Sequence, residues 1–143
     1  VRVQEAIVRQ LQQTSAATYA LASTRIYWNL LPKNPSFPFV RVTKTAKRSI
    51  IEGLTFASEP SITEVQIGCF AKTQEGAADL ADAVAADLST YGTVWQALPL
   101  TSPVTSGSLT AKIEPTGEED LISDDLLELG VAGEARTFSV HTR

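Results

Sequence analysis

The 143-residue chain is 43% hydrophobic and 20% charged, which supplies one core, is too short for two, and excludes an intrinsically disordered protein. Its formal net charge of −4 disfavours a protein that grips nucleic acid by general electrostatic attraction, though not one that lets DNA slide past. No apolar run approaches the roughly 20 residues of a membrane span, and the first residues lack the h-region of a signal peptide, so assembly in the cytoplasm is expected.

In chain order, Val3, Ala6, Ile7, Gln10 and Leu11 form a short helical stripe, with Gln4, Glu5, Arg9 and Gln12 on the polar face. So short a helix must dock on something. Ala16 to Ala22 suggest a second brief helical turn, and Arg25 to Trp28 a short strand with Ile26 and Trp28 on one side. Pro32, Pro35 and Pro38 exclude helix or central strand from the next segment, because each removes a backbone donor. Phe39 to Thr45 resumes a strand in which Val40 and Val42 share a face. Ser49 to Pro60 reads as a connection unusually rich in large apolar groups.

The strongest signal lies between Ile62 and Gly92. Val65, Ile67, Cys69 and Ala71 alternate with Glu64, Gln66, Gly68 and Lys72, as a half-buried strand requires, with Phe70 the exception on the outer face. Thr73 is placed to cap a helix and Glu75 to favour its first turn. Ala77, Leu80, Ala81, Val84, Leu88 and Tyr91 then give one apolar stripe, and Gly92 is expected to end it. Ser102 to Ser108 reads as a flexible connection. Leu109, Ala111 and Ile113 mark a further strand closed by Pro115 and Gly117. The acidic stretch from Glu118 to Glu128 suggests a short amphipathic helix or an extended arm. Gly130 and Gly133 break it, and Arg136 to His141 is a last strand with Phe138 and Val140 on one face. The fold class is α+β: a mainly antiparallel sheet of about four strands, with the long helix and the short N-terminal helix packed on one face.

Residue chemistry points to no active site. Cys69 cannot form an internal disulfide and sits on an inward face, as a small hydrophobe would. His141, the single histidine, has no nucleophile or carboxylate constellation around it. The acidic stretch matches no calcium loop, and no glycine-rich loop leads from a strand into a helix, so no metal or cofactor is expected. The basic residues Arg41, Lys44, Lys47 and Arg48 read equally as a solvated strand edge and as a contact with an acidic surface of another subunit. The apolar residues Ile50, Ile51, Leu54 and Phe56 either fold back on the domain or, the favoured reading, form a surface that a neighbour buries.

The order of these segments resembles the tail-completion or tail-terminator family of long-tailed bacteriophages and gene transfer agents. Arg25, Ile26 and Tyr27, then Leu31 and Pro32, then Pro38, Phe39 and Val40 follow its Arg-Ile-Tyr, Leu-Pro and Pro-aromatic-Val progression. Glu64 to Lys72, followed by Glu75, Ala77, Leu80, Ala81 and Val84, resembles its central strand and alanine-rich helix. The segment around Asp120 and Leu121, leading to Phe138 and Val140, resembles its ending. Trp28 and Asn29, between Tyr27 and the Leu-Pro pair, depart from the pattern, as does Gly68 in a usually polar position. The resemblance implies a non-enzymatic virion protein, a homo-hexameric ring that caps the tail tube, ends its elongation and joins the tail to head-completion proteins. Double-stranded DNA would pass through its lumen without sequence-specific binding. In such a ring the apolar cluster is a candidate subunit contact, with the basic group and Glu118, Glu119 and Asp120 as complementary partners across the interface. A head-side stopper or adaptor ring is the neighbouring alternative, and a small-molecule-binding α+β domain or a simple dimeric adaptor the distant one.

Overall fold

A computed structural model describes residues 3–49, 61–92, 94–101, 106–121 and 130–142. Helices α1 (Val3–Leu11) and α2 (Ala17–Ala22) lead into the short strand β1 (Ile26–Trp28). Strands β2 (Phe39–Ser49) and β3 (Ser61–Ala71) precede helix α3 (Gln74–Leu88), and β4 (Gln96–Thr101), β5 (Ser106–Leu121) and β6 (Ala132–Thr142) complete the sheet. The strand order is β1-β2-β3-β6-β5-β4, and every neighbouring pair is antiparallel except β1 with β2. The α+β class holds, with all helices on one face. α1 packs against β1, β2 and β4, so the sheet curls around it, while α3 lies across β3 and β6.

The core forms where the strand alternation meets the helical stripes. Val40, Val42, Val65, Ile67, Cys69, Phe138 and Val140 lie under Ile7, Leu11, Leu80, Ala81, Val84 and Leu88, all of them buried. Thr73 accepts a hydrogen bond from the Gly76 amide at 3.0 Å, as a helix cap should. α2 begins without a side-chain cap of its own. Asp87, at the far end of α3, supplies one: its carboxylate accepts from the Ala17 and Thr18 amides at 2.9 and 2.8 Å and from the Thr18 hydroxyl at 2.6 Å.

Several boundaries differ from expectation. The sheet has six strands because β4 adds an edge that Pro99 conceals in the sequence, and proline is tolerated on an edge. Ser106 to Ser108 belong to β5 and are not a flexible connection. β5 also runs through Pro115 and Gly117, which do not close it. A register shift against β6 absorbs them as a bulge, and the strand continues to Leu121. Glu118 to Leu121 are therefore strand, neither helix nor draped arm. Gly130 takes a left-handed turn, with φ of 66°, whereas Gly133 lies inside β6 opposite Phe70 and Leu121. A Cβ there would come within 3.0 Å of Leu121 and 3.1 Å of the Phe70 ring. α3 ends at Leu88 and tightens into a 3₁₀ turn (Ser89–Gly92), so Gly92 closes the turn without a positive φ. In α1, Val8 is buried and so are Gln4 and Glu5 from the expected polar face, because the curled sheet surrounds more of this helix than one stripe.

Candidate interaction surfaces

Strand geometry separates the acidic residues that stand side by side in the sequence. Glu118 pairs in register with Arg136, Glu119 with Ala135 and Asp120 with Glu134. Each carboxylate is tied to a different element. Glu119 Oε1 accepts from Gln66 Nε2 of β3 at 2.9 Å. Asp120 Oδ1 accepts from Gln74 Nε2 of α3 at 3.4 Å. Glu118 Oε2 lies 3.4 Å from Arg136 Nε.

Arg136 is the centre of this region. Its Nη2 lies 2.7 Å from Asp82 Oδ1 of α3 and 3.1 Å from Glu134 Oε1 of its own strand. The Arg136 side chain is only 18% exposed, while those of Asp82 and Glu118 are 70% and 68% exposed. Burial works against the guanidinium charge, but the bonds to Asp82 and Glu134 and the charges of Glu134 and Glu118 outweigh it and hold its pKa above the usual range. Three carboxylates against one guanidinium leave a formal excess of negative charge at this edge. In the sequence Arg136 marks only the start of the last strand. Its signal was a cation in register with Phe138 and Val140 on an apolar face, which demands a partner.

Beside this network is a notch of about 340 Å³, floored by Ala85, Pro115 and Phe138 and rimmed by Glu118 and Arg136. An open groove of about 690 Å³ runs along β1 at the opposite edge of the sheet, lined by Val8, Arg9, Gln12, Tyr27, Trp28 and Leu30 among others. Gln12 Nε2 donates to the Ile26 carbonyl at 3.1 Å, and the Leu30 amide to that of Trp28 at 2.9 Å. These internal bonds occupy acceptors on the β1 edge that another strand would need. Trp28 and Leu30 remain 37% and 85% exposed, so this edge presents side chains.

The basic group is also divided. Arg41 and Lys44 are exposed, and Arg41 Nε donates to the Asn29 carbonyl at 2.8 Å, beside the groove. Lys47 and Arg48 occupy β2 opposite Thr63 and Ile62. Ile50, Ile51, Leu54 and Phe56 lie outside the described residues, so the structure does not test that apolar cluster.

Cys69 is buried, and desolvation first, with the Glu134 charge second, pushes its thiol up to about 12. It packs as a small hydrophobe. His141 Nε2 lies 3.7 Å from Glu114 Oε2 on the neighbouring strand. Among the described residues, no group of three or more His, Cys, Asp or Glu side chains is placed to hold a metal ion, and no helix is long and apolar enough to cross a membrane.

The class these features define is an α+β domain with a curled six-stranded sheet and chemically distinct edges. No family model matches the sequence, and no curated protein matches it. Among solved structures, the chain is similar to one from the virion of a native gene transfer agent particle. The two share 17% sequence identity and superpose with a TM-score of 0.64 over 98% of this chain and 93% of the other. At that identity the likeness establishes a shared fold spanning nearly the whole of both chains.

Proposed function

We propose that this protein is a structural, non-enzymatic component of a phage-like virion, forming a ring that caps the tail tube, ends its elongation and joins the tail to the head-completion proteins. The observation that carries the reading is the near-complete overlap of its fold with a chain of a gene transfer agent virion. The ordered resemblance to the tail-terminator family, from Arg25 to Val140, narrows the role within that particle. The partners are further copies of the chain, six by that resemblance, with the tail tube protein on one side and a head-completion or stopper protein on the other. A heterologous contact closes into a ring when the rotation per subunit divides the circle. The negative net charge suits a lumen through which double-stranded DNA moves without being held.

Removal of the gene from producing cells, followed by electron microscopy of the particles, tests the role. Overlong or unjoined tails beside filled heads are expected. Tails of normal length with DNA leaking from heads would overturn the terminator assignment in favour of a stopper. Normal, infectious particles would overturn the virion reading itself.

A further inference from the structure

The groove edge and the acidic notch lie on the same row of the sheet. Trp28 pairs with Val42, Val42 with Ile67, Ile67 with Arg136 and Arg136 with Glu118. Four strand spacings, about 19 Å along the sheet surface, separate the two ends. β4 is paired only with Ser106 to Ala111 of β5, so it does not cover Glu118.

The two ends complement each other. At the β1 end, Leu30 stands clear of the surface, Trp28 lines the groove beside it, and the exposed cations Arg9 and Arg41 are close by. At the β5 end, the notch has an apolar floor, and its rim carries Glu118 and Arg136, whose one positive charge is outnumbered by Glu118, Glu134 and Asp82, the last one helical turn from Ala85. A protruding apolar group with a cationic border on one edge faces, in a second copy, a recess with an anionic border on the other. Such a pair is heterologous, which a ring requires and a two-fold dimer does not.

We propose that, in the ring described above, Leu30 and Trp28 of one copy seat in the notch between α3 and β5 of the next, with Arg9 and Arg41 against Asp82 and Glu118. This rests on the ring reading and identifies the surfaces that form it. The bonds that occupy carbonyls on the β1 edge make the contact one of side chains and not of added strands. Opposite charges on the two rims set orientation and disfavour pairing of like edges.

The test is a full-length chain carrying Leu30→Cys and Glu118→Cys, oxidised mildly in concentrated solution and in purified particles. The native Cys69 is buried and does not compete. A disulfide needs Cα atoms about 6 Å apart, so linkage reports seating directly. The expected product is a ladder of covalent oligomers ending in a closed ring, absent when Leu21→Cys replaces Leu30→Cys. Separately, Arg41→Glu is expected to weaken self-association about tenfold, and adding Asp82→Lys to restore it. Rings visible by microscopy without the Leu30 to Glu118 linkage, or an Arg41→Glu defect that Asp82→Lys leaves unrepaired, would overturn this contact and leave the ring intact. Absence of self-association in solution and in particles alike would overturn both.

Discussion

β3 and the far end of β5 lie two strands apart in one sheet, the first in its interior and the second at a free edge. The inward positions of β3, Val65, Ile67 and Cys69, are buried against the helices, and the strand is paired on both sides along its length. From Glu114 to Asp120, β5 is exposed at every residue and paired on one side only. The first is placed by apolar burial, which is indifferent to the identity of the neighbour. The second is placed by individual polar atoms: Gln66 for Glu119, Arg136 for Glu118, Gln74 for Asp120. The lesson is that the buried strand confers stability, whereas the polar edge keeps chemistry at the surface.

That contrast can be broken at several points. The largest effect is expected in the reactivity of Cys69. A thiol pushed from 9.0 to about 12 carries about a thousandfold less thiolate at pH 8 than in the unfolded chain, and modification by a thiol reagent should slow by at least that factor in the native protein. Because the folded state favours the neutral thiol, this contribution to stability is intact below about pH 9 and is lost as the pH rises toward 12. Rapid labelling of native protein at pH 8 would show that the β3 interior is open. Next, Ile67→Ala should cost about 3 kcal/mol in denaturant unfolding, since the side chain is fully buried under the helices. A loss below about 1 kcal/mol would mean that the core collapses around the gap.

Arg136→Ala should cost about 2 kcal/mol, because it strands the largely buried Glu134 carboxylate and unties α3 from β5. Hydrogen exchange should then rise in residues 117–121 before it rises in β3, and simultaneous rise in both would deny the division between the strands. The smallest effect belongs to Glu119→Ala. Its exposed bond to Gln66 should contribute less than about 0.5 kcal/mol, and a thermal melt shifted by more than a few degrees would assign this edge a structural weight that its geometry does not.

The interior of the fold was legible in the sequence because burial leaves a periodic trace. The alternation of Val65, Ile67 and Cys69 and the helical stripe from Ala77 to Tyr91 both appear as buried faces. The continuation of β5 past Pro115 was not legible, since a proline and a glycine read locally as an end and only the pairing with β6 shows the bulge. β4 was hidden for the same reason by Pro99. The candidate contact residues fared according to spacing along the chain. Those grouped by adjacency, Glu118 with Glu119 and Asp120, have three separate partners, while Asp82, 54 residues from Arg136, joins it and Glu134 in one network.

The sequence alone determined the class of fold, the inward faces of β3 and α3 and the inert packing of Cys69, because each depends on a repeat of two or of three to four residues that any suitable core will satisfy. Only the tertiary structure decided that Trp28 and Glu118 end the same row of the sheet and that Arg136 gathers carboxylates from three elements. Such placements depend on strand order and register, which arise from pairings between distant segments and leave no periodic mark on either one.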